Sequence, residues 1–74
     1  MSRRPSITGK QLIGALKRLG FQEVRIRGNH RYLRHPDGRT TVAPAHAGET
    51  IGPGLLSKIL RDAEISKAEL SENL

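Results

Sequence analysis

The 74-residue chain contains no cysteine, which excludes a disulfide framework and any thiolate metal site. It has no tryptophan, and Phe21 and Tyr32 are its only aromatics. That is too few for a single-strand nucleic-acid reader built on several stacking platforms. No apolar run approaches the roughly 20 residues of a membrane span. The start Met1-Ser2-Arg3-Arg4-Pro5-Ser6 carries charge with no apolar stretch behind it, unlike a signal peptide. These absences lead to the expectation of a cytoplasmic protein that does not engage a membrane. Acidic side chains are scarce in the first part of the chain. Residues 1–42 hold 2 acidic and 10 basic side chains, a net of +8, and residues 43–74 hold 5 acidic and 3 basic, a net of −2, which together give the overall +6.

What is present fits a small basic domain. A chain of this length forms one domain, 1–74, and buries only about 60% of its unfolded surface. Chemistry therefore belongs on a surface or in a shallow groove. The basic first part, in which arginine predominates, points to a polyanion, because Arg pairs bidentately with phosphate and releases its counterions.

Residues 1–6 read as a flexible basic arm. Thr8 and Gln11 form a capping box, with Ile7 and Leu12 as a hydrophobic staple. The recurrence of Leu12, Leu16 and Leu19 predicts an amphipathic helix over 9–19, closed by Gly20. The period then becomes two. Residues 22–27 form a first strand, Gly28-Asn29 a two-residue turn of the II′ kind, and residues 30–34 a second strand. Pro36-Asp37-Gly38 is a further turn, and residues 39–43 form a third strand ending at Pro44. After a loop carrying His46, Gly52 and Pro53 open a second helix whose core stripe is Leu55, Leu56, Ile59, Leu60 and Ala63. The capping box Ser66 to Glu69 opens a short C-terminal helix over 66–72. The fold class is α+β, in the order α-β-β-β-α, with a three-stranded antiparallel sheet and helices packed on one face.

The turn fixes the register. With Gly28 and Asn29 at the turn, Arg27 pairs with His30, Ile26 with Arg31, Arg25 with Tyr32, and Val24 with Leu33. Alternation then puts Val24, Ile26 and Leu33 on the core face, and Arg25, Arg27, His30, Tyr32 and Arg34 on the opposite one. A histidine among arginines suits RNA cleavage. Neighbouring cations disfavour imidazolium, so a neutral ring can accept a proton. The arginines can stabilise charge on a phosphate, and RNA brings its own nucleophile, the 2′-OH. The same pattern also fits an ordinary exposed strand histidine.

Several segments carry a family resemblance. They are Thr8-Gly9-Lys10-Gln11-Leu12-Ile13-Gly14-Ala15-Leu16, Leu19-Gly20-Phe21, Gly28-Asn29-His30, Pro36-Asp37-Gly38, Pro44-Ala45-His46 and Pro53-Gly54-Leu55. In this order and spacing the chain resembles the HicA family of messenger-RNA interferases, toxins of type II toxin–antitoxin systems. The resemblance implies a fold like that of double-stranded-RNA-binding domains and metal-independent cleavage of messenger RNA without a cofactor. It implies His30 as the catalytic residue. It also implies a HicB-type antitoxin that covers the active face, with operator DNA bound only through the toxin–antitoxin complex. Asn29 stands where the family usually has Ser, and Arg31 where a second His is common. His46, Tyr32, an arginine or water are all open as the proton donor to the leaving 5′-oxygen. The RNA-binding residues expected around His30 are Arg25, Arg27, Gly28, Asn29, Tyr32 and Arg34. The alternatives are a non-catalytic RNA-binding module of the same fold, or a domain whose basic face serves an acidic protein.

His35 reads as a strand-end or turn residue, and His46 as a loop residue able to approach the site. His30 and His35 face opposite ways by alternation, and no acidic side chain stands beside them in a ligand pattern. No metal site is expected.

Overall fold

Six elements follow one another along the chain. They are α1 (Gly9–Arg18), β1 (Gln22–Arg27), β2 (His30–Arg34), β3 (Thr40–Pro44), α2 (Pro53–Ala63) and α3 (Lys67–Glu72). The computed structural model describes residues 6–46 and 48–74. The arm expected over 1–6 therefore lies, apart from Ser6, outside the described residues. Among the described residues no helix is long and apolar enough to cross a membrane.

The capping boxes form as their sequences predict. Thr8 Oγ1 accepts from the Gln11 backbone N–H at 3.1 Å, and the Gln11 side chain accepts from the Thr8 N–H at 2.9 Å. Ser66 and Glu69 repeat the exchange at 3.0 Å in both directions. Leu19 is the C-cap of α1 rather than its last residue, and Gly20 follows at φ 103°. A side chain at Gly20 would collide with the His35 ring.

The three strands pair antiparallel in the order β1-β2-β3. Leu33 on the central strand is buried beneath the helices with Leu12, Leu16, Ile59 and Ala43. Thr41 Oγ1 donates to the Ile59 carbonyl at 3.4 Å and ties β3 to α2. Burial of each of these leucine and isoleucine side chains contributes on the order of 1.5–3 kcal/mol.

The turn after β2 is held by side chains. The Gly38 N–H donates to the His35 carbonyl at 2.9 Å, and the Asp37 N–H donates to His35 Nδ1 at 3.1 Å. The His35 ring meets Phe21 edge-on at 5.1 Å. This agrees with the strand-end role expected for it. Arg39 packs over Phe21, donates to the Ala63 carbonyl at 2.8 Å and holds the Asp37 carboxylate at 2.9 Å. It thus satisfies a backbone acceptor at the C-terminus of α2. The Arg39 backbone N–H, reinforced by its guanidinium, holds the Asp37 carboxyl below its ordinary value. The stabilisation from that carboxylate is present above the ordinary carboxylate range and is lost as pH falls through the lowered value.

Three core assignments are corrected. Val24 does not pair with Leu33. Glu23 takes that place, and a register shift falls between Glu23 and Arg25. The bulge releases Val24 from the ladder and leaves it 58% exposed. Ile26 keeps its partner Arg31, yet it is 54% exposed, because the helices pack mainly over β3 and leave the far end of β1 uncovered. Leu55 is also exposed. α2 reaches the core through Ile59, Leu60 and Ala63, with half-buried Leu56 packed against it from the first turn.

The start of α1 presses against the end of β3. A Cβ on Gly9 would overlap the Pro44 carbonyl oxygen, whereas a Cβ on Gly14 would meet only the Arg18 guanidinium at 3.7 Å. Gly9→Ala is expected to cost about 1–3 kcal/mol by overpacking, a fall in Tm of roughly 4–24 °C for a domain of this size. Gly14→Ala, inside the same helix, is expected to gain about 0.5–1 kcal/mol. Thermal denaturation of the two variants beside the parent checks both signs, and a Gly9→Ala protein as stable as the parent would contradict the packing.

Candidate nucleic-acid interface

The geometry of the open face begins at the β1–β2 turn. Gly28 takes φ 57° while Asn29 stays at negative φ, the sign pattern of a type II′ turn. From there Arg27 pairs with His30, Ile26 with Arg31 and Arg25 with Tyr32, which is the register the sequence predicts for these three pairs. On the other side of β2, His30 pairs with Pro44, Tyr32 with Val42 and Arg34 with Thr40.

Alternation sorts the central strand into two faces. Leu33 points beneath the helices with Thr41 and Ala43, all buried. His30, Tyr32 and Arg34 therefore point to the open face, joined by Arg25 and Arg27 from β1 and by Val42 from β3. Arg31 lies on the helix side. Its guanidinium pairs with Glu23 at 3.4 Å, and Glu23 also meets Lys17 at 3.6 Å. Arg39 is engaged at the α2 terminus. Among the described residues, the cations left on the open face are Arg25, Arg27 and Arg34, all exposed.

His30 is exposed, and its ring has no hydrogen bond or ion pair among the described residues. Tyr32 is half-buried, with the Arg25 guanidinium 5.9 Å from its ring centroid. Such a contact stiffens an otherwise mobile arginine. The arrangement offers an unencumbered imidazole, a row of cations and one aromatic ring on a surface open to a long polymer.

Of the other histidines, His35 stands apart from this face, packed on Phe21. His46 lies two residues beyond Pro44, the cross-strand partner of His30, and its Nδ1 is 3.1 Å from Glu49. The loop bearing His46 is clipped to the N-terminal segment by the Ile51 N–H, which donates to the Ile7 carbonyl at 2.8 Å. Among the described residues no group of three or more His, Cys, Asp or Glu side chains could hold a metal ion.

Two residues of the open face are not among those the sequence pointed to. Val42 could have been found, because extending the alternation across the second turn sets it opposite Tyr32. Val24 carried no such signal, since strict alternation sends it to the core and only the bulge brings it out.

Residues 9–65 of the chain match the family model described as the HicA toxin of bacterial toxin–antitoxin systems. No curated protein matches the chain.

The open face has a consequence for polyanion binding. Replacing Arg25, Arg27 and Arg34 by Ala should weaken binding to single-stranded polyuridylate. It should also flatten the slope of log affinity against log salt by about 0.7 for each arginine that contacts a phosphate. Arg31→Ala, whose partner is Glu23, should leave that slope close to the parent's. Fluorescence-anisotropy titrations at several salt concentrations measure both, and equal slopes in the two variants would exclude the open face as the contact surface.

Proposed function

The chain belongs to the HicA toxin family of toxin–antitoxin systems, and from that premise we propose that it is an endoribonuclease that cleaves messenger RNA, with His30 as general base. The observation that carries this reading is the exposed, unbonded His30 among Arg25, Arg27 and Arg34 on the open sheet face.

Each group has a role in the proposed reaction. The His30 imidazole takes the proton of an RNA 2′-OH. The 2′-oxygen then attacks the adjacent phosphorus as the bond to the 5′-oxygen breaks, and that oxygen takes a proton from His46, Tyr32, an arginine or water. The arginines hold the phosphate and stabilise charge that grows on it. Gly28 and Asn29 set the turn that aims His30, and their open backbone gives the strand close access. The nucleophile belongs to the substrate, so the reaction requires neither a metal nor a cofactor.

As a toxin of a toxin–antitoxin system, the protein has an antitoxin partner. We assign that role to a HicB-type protein that covers the arginine face. Operator DNA would be contacted only through that complex, and the site of action would be the cytoplasm, where messenger RNA is translated. The basic first part of the chain, net +8 over residues 1–42, favours both RNA and an acidic covering surface.

The purified protein should cleave messenger RNA in the presence of EDTA and leave 2′,3′-cyclic phosphate and 5′-hydroxyl ends. His30→Ala should lower the cleavage rate by about 10²–10⁴-fold, the usual worth of a general base, and abolish growth arrest when expressed without an antitoxin. A His30→Ala protein that cuts RNA and arrests growth as well as the parent does would refute the assignment. RNA that is bound but left intact by the parent would identify the non-catalytic module instead.

A further inference from the structure

We propose that Val24, Tyr32 and Val42 form a seat for one unpaired nucleobase beside His30, so that RNA is held single-stranded at the cut. The proposal rests on the assignment of the open face to RNA and adds which form of RNA that face takes.

Two exposed valines stand beside the tyrosine. Val42 and Arg25 are the cross-strand partners of Tyr32 on its two sides. Val24, unpaired at the bulge, lines the same shallow trough as Tyr32 and Val42. Arg34 and Thr40 line it with them, and its lining also takes in Arg39 and, from α2 and its cap, Lys58, Asp62 and Glu64. That whole trough, its α2 side included, has a volume of about 800 Å³. Val24 is 58% and Val42 37% exposed. Two apolar side chains thus flank the only aromatic on the face, and the bulge gives up a core position to put one of them there. Bulges that re-aim a side chain are frequent beside functional sites.

Charge selects the occupant. Arg34 lines the trough, Arg25 stands over the Tyr32 ring, and Arg27 and His30 continue the same face. An apolar seat with a cationic border fits a group that is flat and apolar on its faces and tied to phosphate, which is a nucleotide. Base–aromatic stacking tolerates any base, because each has a π-face. One ring makes one seat, in keeping with the scarcity of aromatics. A duplex could not use it, because A-form RNA buries its base faces and presents phosphates and 2′-hydroxyls. Tyr32 lies two residues from His30 on the same strand face, about 7 Å along β2. The seated base therefore belongs to a nucleotide flanking the scissile phosphate.

Tyr32 is also the reporter, since the chain has one tyrosine and no tryptophan. The protein to use is full-length His30→Ala, in which binding is separated from cleavage. Three probes are compared: a single-stranded oligoribonucleotide, the same strand made abasic throughout, and a blunt RNA duplex of equal length. The single strand should quench Tyr32 emission, while the abasic strand and the duplex should bind with emission unchanged. In the V24S/V42S background, affinity for the single strand should fall about tenfold with the quench lost, and affinity for the abasic strand should not change. Circular dichroism confirms that this variant is folded. Equal quenching by the duplex, or a bound single strand that leaves emission unchanged, would overturn the seat. Cleavage by the parent separates the two ideas. A parent that cuts RNA while Tyr32 emission ignores it loses the seat alone, and a His30→Ala protein that shows the quench while the parent leaves RNA intact loses the catalytic assignment alone.

Discussion

Leu33 is the residue on which the arrangement turns. It lies on the central strand, paired on both sides, and is buried against the helices. Because side chains alternate, burying Leu33 sends His30, Tyr32 and Arg34 the other way. A slip of one residue would put Leu33 in water and bring a charged strand face against Leu12, Leu16 and Ile59. The hydrophobic effect thus orients the polar face without any polar side chain having to fix it.

Much of the fold is legible in the sequence because it depends on local chemistry. Thr8 with Gln11 and Ser66 with Glu69 are reciprocal caps whose partners lie three residues apart. Gly28 supplies the positive φ that its turn requires, and that turn alone settles the three pairs nearest it. These pairs bring His30 together with Arg25 and Arg27, so the centre of the candidate site follows from the order of the amino acids. Local chemistry loses its authority where a distant packing decision rules. Nothing local to Val24 announces a bulge. Ile26 has the apolar side chain and the phase of a core residue, but the helices do not extend over it. Leu55 belongs to the apolar stripe of α2 and still meets solvent, while its neighbour Leu56 packs against the core. In each case a tertiary outcome overrides a correct local pattern.

The division of the arginines follows the same logic. Arg39 and Arg31 have definite structural partners, the α2 terminus and Glu23. Arg25, Arg27 and Arg34 have no ion-pair partner among the described residues. Composition alone gives a positive charge without telling a scaffold arginine from a ligand arginine. Pairing within the fold makes that distinction, and it leaves the unneutralised charge concentrated around the imidazole.

The bulge at Val24 also bears on how the molecule behaves among copies of itself. β1 is an edge strand, and a flat edge with exposed Ile26 would offer a template to another strand. The bulge breaks the regular spacing of hydrogen-bonding groups along that edge, and Arg25 and Arg27 add mutual repulsion between approaching edges. The features that shape the open face therefore also oppose aggregation. In the proposed complex an antitoxin covers that face and the safeguard is not needed, so the free toxin is the species whose solubility depends on keeping its arginines.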